Sequence, residues 1–133
     1  MKIGISSYSF HHLVHDGVMD QLGVIAIAKD MGFDVIEFST FQLPEGETPL
    51  TFAPKVKAEC DRVGIEIANY TIGADFLKGS DWQAEVERLK DEVRVAQILG
   101  VPGMRHDATW GVPADHIGPR SFDDVLPTLI DGC

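Results

Sequence analysis

One punctuation mark recurs along the chain: a glycine between two apolar residues, as Met31-Gly32-Phe33, Val63-Gly64-Ile65 and Leu99-Gly100-Val101. A glycine in that setting ends a helix in a left-handed cap and turns the chain back. Gly32, Gly64 and Gly100 stand 32 and 36 positions apart. That period fits one parallel strand plus its return helix. The segments beside the glycines agree. Lys2–Ser6, Val35–Phe38 and Ile65–Tyr70 are short apolar or β-branched runs, and Gly103–Asp107 is a weaker fourth. Each reads as a strand buried on both faces.

Helical stripes alternate with these runs. Trp82, Val86, Leu89, Val93 and Ala96 recur in steps of four and three, with Ser80 and Gln83 at capping-box spacing. Phe52, Val56, Cys60 and Val63 repeat the pattern after Pro49, whereas Val18, Leu22, Ile25 and Ala26 make a less regular first stripe. A fourth helix starts near Ser121, where Ser121-Phe122-Asp123-Asp124 offers a cap and negative charge at the positive helix end. The order β-α-β-α-β-α-β-α demands a parallel α/β sheet with right-handed crossovers. It fits either a doubly wound sheet or the first half of a (β/α)8 TIM barrel with outer helices. The loop after the first strand, Ser6-Ser7-Tyr8-Ser9-Phe10-His11-His12, has no GxGxxG and no P-loop pattern, which favours the barrel.

Composition narrows the partners. A chain of 133 residues, 44% hydrophobic, supplies one ordinary core, so residues 1–133 are read as a single domain. A net charge of -10 repels phosphate backbones and anionic lipid, so neither nucleic acid nor membrane is an expected partner. No run resembles a signal sequence or a membrane span, and the expected location is cytoplasmic. Cys60 and Cys133 have neither metal-site nor disulfide spacing, and Cys60 reads as a small core residue.

The stretches KIGISSYSF, AKDMGFDVIEFS, CDRVGIEIANYTIGADFL and VAQILGVPGMRHD, in that order, resemble the sugar phosphate isomerase/epimerase family, the xylose isomerase-like barrels. The resemblance spans essentially the whole chain. It implies an eight-stranded barrel of about 250 residues, of which this chain is the N-terminal half. It further implies metal-assisted proton transfer next to a carbonyl of a small sugar or polyol-derived substrate. The divalent Mn, Mg or Zn ion would be held mostly by residues of later strands. An open barrel edge and interior point to a homo-oligomer. The alternative is a non-catalytic half-barrel acting as a self-assembly or ligand-binding module. The endonuclease branch of the same superfamily is disfavoured by the acidity of the chain and by Tyr70, which stands where that branch has a histidine.

Within that frame the candidate substrate-contacting residues are Tyr8, Phe10, His11, Glu37, Tyr70, Arg105, His106 and Asp107. No catalytic or metal-ligating residue is assigned. His11, His12 and His15 read either as substrate contacts at the barrel mouth or as a polar loop leading into the first helix, and they lack the spacing of an HExxH site. Arg105-His106-Asp107 places charge in an apolar run at a strand exit. It reads as a trio in which Arg105 holds a carboxylate or phosphate and His106 ligates a metal or shuttles a proton, or as Arg105-Asp107 or His106-Asp107 pairs that satisfy one another. Glu37, between Ile36 and Phe38, must bond a partner or face the barrel mouth. Glu66 lies at the opposite strand end and reads as structural. Tyr8, Phe10, Phe38, Tyr70 and Trp110 would gather at strand exits as a sugar-pocket floor or a hydrophobic cap, and the cap is preferred for any single one. Thr109–Pro113 with Gly118-Pro119 reads as a long loop on that face.

Overall fold

The computed structural model describes residues 1–79, 81–114, 118 and 120–133. Four strands, β1 (Gly4–Ser6), β2 (Val35–Phe38), β3 (Glu66–Ile72) and β4 (Met104–His106), form one sheet in the order β1-β2-β3-β4. Every neighbouring pair is parallel. Five helices separate or follow them: α1 (His11–His15), α2 (Gln21–Asp30), α3 (Pro49–Val63), α4 (Trp82–Leu99) and α5 (Phe122–Gly132). The order never reverses. Right-handed crossovers therefore stack the long helices on the same side of the sheet. In accord, α2 packs on α3, α3 on α4, and α4 on α5. A doubly wound sheet would need a reversal of strand order, so that alternative is set aside. The arrangement is consistent with half of an α/β barrel.

Local chemistry sets the helix ends. Asp20 caps α2 by accepting from the Gly23 N–H at 2.6 Å. Thr48 and Thr51 form a reciprocal capping box at α3, with Pro49 in the first turn, where a missing N–H costs nothing. Ser121 and Asp124 do the same for α5. Gly64 and Gly100 end α3 and α4 at φ +72° and +70°, a region costly for any residue with a Cβ. The cap of α4 is Asp81, which accepts from the Ala84 N–H at 3.1 Å. Ser80 of the expected capping box, like Pro119 of the expected loop, lies outside the described residues.

Tertiary packing corrects several details. The histidine stretch is not a loop: a 3-10 turn over Ser7–Phe10 runs into the helix α1. Val18 is exposed because α2 starts only at Gln21, and Val24 and Ala28 join Ile25 on its buried side. The α3 stripe of Phe52, Val56 and Cys60 is buried as read. On α4, Val93 is 54% exposed, and the buried side runs through Leu89, Glu92, Val95, Ala96 and Leu99. That helix is rotated so that Glu92 meets the hydroxyl of Tyr70 at 2.7 Å. Cys60 is in the core, and burial pushes its thiol up to about 12.

The strands are buried on one face only. Ile36, Phe38, Ile67, Tyr70 and Ile72 pack into the core cluster with the helices. β3 reaches this arrangement through an irregularity: Ile36 and Glu37 of β2 pair with Ile67 and Asn69, skipping Ala68. Strict alternation would put Ile67 and Asn69 on the same side. The extra residue, a β-bulge, lets Ile67 face the helices and Asn69 the opposite side. At the N-terminal end of the sheet Glu66 pairs with Lys2, in line with its structural reading. No helix among the described residues is long and apolar enough to cross a membrane.

Candidate functional site

The face of the sheet away from the helices is polar. Register aligns Ser6 with Glu37, Glu37 with Asn69, and Thr71 with Arg105. Glu37 Oε2 accepts from Asn69 Nδ2 and from the Thr71 hydroxyl, both at 3.2 Å, and Asn69 Nδ2 also donates to Thr71 Oγ1 at 3.0 Å. A half-buried carboxylate with two donors is stabilised where it stands. Glu37 Oε1 has no protein partner among the described residues.

A cavity of about 600 Å³ opens over this floor, at the C-terminal ends of all four strands. Ligands of parallel α/β sheets bind at that end, because the loops that follow the strands converge there. After β1, Ser7 Oγ accepts from the Ser39 N–H at 3.0 Å and lies 3.2 Å from Ser39 Oγ, which ties the exits of β1 and β2 together. After β2, the loop returns through Gln42, whose N–H donates to Gln21 Oε1 at 3.2 Å. After β4, Asp107 accepts from Arg105 Nη2 at 2.8 Å, and both side chains line the cavity.

The far wall is Trp110, 74% exposed, lying over Gly73 so closely that a Cβ there would come within 3.0 Å of the indole. Gly73 is held from behind by Arg88, whose Nη2 donates to its carbonyl at 2.6 Å. Arg88 also forks onto Glu85 at 2.8 Å and reaches Glu92 at 3.2 Å. The hydrogen bonds from Arg88 hold the Glu85 carboxyl below the usual carboxylate range, and Glu85 accepts from the Asp75 N–H in turn. Burial, then the Glu92 carboxylate, pushes the Tyr70 phenol well above its ordinary value. This network fixes the loop after β3 from the helix side of the sheet.

Five of the eight candidate residues therefore meet at one cavity: Tyr8, His11, Glu37, Arg105 and Asp107. Phe10, Tyr70 and His106 do not line it. Phe10 is buried in the core. Tyr70 points into the helix layer, 1% exposed, where its hydroxyl serves Glu92. His106 alternates to the opposite side from Arg105, packs edge-on against Phe76 and bonds the Asp107 carbonyl through Nδ1 at 2.8 Å. The aromatics do not form one cap: Phe38 points inward and meets Phe41 edge-on, and only Tyr8 and Trp110 of the expected group reach the cavity. Residues the sequence did not single out are Ser7, Ser39, Gln42 and Thr71. Of these, Thr71 had a signal, a hydroxyl interrupting the apolar run of its strand.

The described residues do not fit a metal centre. Among the described residues no three His, Cys, Asp or Glu side chains are grouped to hold an ion. Within the cavity, Glu37 already shares one oxygen between two donors, and Asp107 is paired with Arg105. No protein-family model matches this chain, and no curated protein matches it either.

Proposed function

We propose that the chain is the first half of a barrel of the sugar phosphate isomerase/epimerase type, and that its cavity binds a small hydroxy-carbonyl compound of the ketose class. The observation that carries this reading is the polar floor of the cavity, Glu37 and Thr71, both bonded by Asn69 and walled by Tyr8 and Trp110. Hydroxyl-bearing ligands need alternating donors and acceptors around an aromatic wall that takes their C–H face. Ser7, Ser39, Thr71 and the free oxygen of Glu37 supply the first, and Trp110 supplies the second. Arg105 and His11 add donors for a carbonyl or enediolate oxygen, and Glu37 is the floor carboxylate placed to take a proton beside that carbonyl.

The test is calorimetric titration of the chain with D-xylulose and D-fructose, free and phosphorylated. Saturable binding is expected. Glu37→Gln and Arg105→Ala should each weaken it about tenfold or more, as expected for the loss of a hydrogen bond to a charged group. Absence of saturable binding by every one of these sugars overturns the reading. Among the described residues β1 and β4 are the edges of the sheet, which favours a second reading in which copies of the chain associate edge to edge. Sedimentation velocity distinguishes a dimer from a monomer, and a monomer at all concentrations removes that second reading.

A further inference from the structure

His11 lies in the cavity wall with four side chains against its ring. Tyr8 stacks on it at 5.4 Å and 16°, and His15 at 5.9 Å and 18°. These residues are three before and four after His11, so the ring lies between them along the turn. His12 meets it edge-on at 5.5 Å. The fourth is Gln42, whose Nε2 is 2.6 Å from His11 Nδ1 and 3.2 Å from the His11 carbonyl oxygen.

That second contact determines the first. A carbonyl oxygen only accepts, so the amide end facing His11 is the nitrogen, and an amide nitrogen only donates. His11 Nδ1 must then accept, and a neutral imidazole that accepts at Nδ1 carries its proton on Nε2. Gln42 is itself held, since its N–H donates to Oε1 of the buried Gln21 at 3.2 Å. No group among the described residues bonds His11 Nε2.

We infer that Gln42 is a positioning residue that fixes His11 as its Nε2–H tautomer, so that the ring offers the cavity a neutral hydrogen-bond donor for an electron-rich ligand oxygen such as a carbonyl or enediolate. The tautomer assignment stands on the geometry of the free protein, and only the nature of the acceptor rests on the ketose reading above. A fixed second partner on one ring nitrogen is how histidines are kept in one tautomer at metal and catalytic sites, and the same logic applies to a ligand donor.

Ring-nitrogen NMR of 15N-histidine-labelled protein tests this at about pH 8, above the ordinary imidazole value of about 6.5. His11→Phe identifies the resonance among the five histidines. The wild type should show the proton on Nε2. Gln42→Glu places an obligate acceptor against Nδ1 and should move the proton there, whereas Gln42→Leu should leave a mixture, with amide spectra confirming that both variants fold. D-xylulose binding should weaken about tenfold in Gln42→Glu, in step with the tautomer. A wild-type ring protonated on Nδ1, or one that Gln42→Glu does not change, overturns the inference. A tautomer that moves with unchanged xylulose affinity overturns the donor role. A wild type that binds none of the four sugars fails the ketose reading, and the ring-proton result then decides this inference by itself; where another of them binds and xylulose does not, that sugar replaces xylulose in the affinity measurement.

Discussion

The two faces of the sheet are built from the same strands and do opposite work. Toward the helices, Ile36, Phe38, Ile67, Tyr70 and Ile72 are all buried, and the polar groups on that side are committed, the Tyr70 hydroxyl to Glu92 and His106 Nδ1 to the Asp107 carbonyl. On the opposite face, Glu37, Asn69 and Thr71 remain half-exposed and bond one another, and Glu37 and Thr71 line the cavity. Hydrophobic burial therefore acts on one side only, and the other is free to be polar. The difference teaches why this sheet tolerates an uncovered face: the groups there keep water and each other as partners, so leaving them open costs little. The buried core and the polar cavity floor are separated by the pleat of a single strand.

Substitutions that cross the two faces put the separation to the test. The largest effect belongs to Phe38→Ala, which empties a fully buried site and should cost about 3–5 kcal/mol in urea unfolding. Thr71→Ala, nearby on β3 but facing the cavity, should cost about 1 kcal/mol. Equal losses would mean that the faces are not energetically distinct.

Next comes Tyr70→Phe, which leaves Glu92 Oε2 without its hydroxyl donor and should cost about 2 kcal/mol, the scale of a hydrogen bond to a charged group. The same residue carries a pH signature. Its phenol is held above its ordinary value by burial first and by Glu92 second, so the folded state favours the neutral form. That contribution is complete below the unfolded value of about 10 and is lost as the pH rises through the folded value. Urea midpoints followed upward from about pH 9 should fall in the wild type, and Tyr70→Phe should remove that part of the decline. An identical decline in both proteins would disconnect Tyr70 from it.

The smallest stability effect is expected from Gly73→Ala. Its Cβ would press on Trp110, which is exposed and free to swing away, so stability should change by less than about 1 kcal/mol. In a Trp82→Phe background the emission of Trp110 should nonetheless shift, and xylulose binding should weaken. Unchanged emission would show that the indole does not rest on Gly73.

Much of the site was legible because polar residues at the ends of apolar runs are conspicuous: Glu37 between Ile36 and Phe38, and Arg105 with Asp107 after Met104. Which of two adjacent residues faces the cavity was not legible. Arg105 and His106 both looked suitable, and pairing with Thr71 and Ile72 sends them to opposite sides. Tyr70 failed for a related reason, since an aromatic at a strand end fits a pocket floor and a core equally well until a buried carboxylate claims its hydroxyl. Gln42 and Ser39 gave no signal, because polar residues in loops are ordinary.

By itself the sequence determined the alternation of strand and helix, the left-handed turns at Gly64 and Gly100, the proline-led start of α3 and the cap at Ser121. All of these rest on sterics and hydrogen bonds between residues close along the chain. Only the tertiary structure decided the bulge at Ala68, the rotation of α4 that buries Glu92, the seat of Trp110 on Gly73 and the hold of Gln42 on His11. Each joins residues distant in sequence or the registers of separate elements, and their energies exist only once packing has brought the surfaces together.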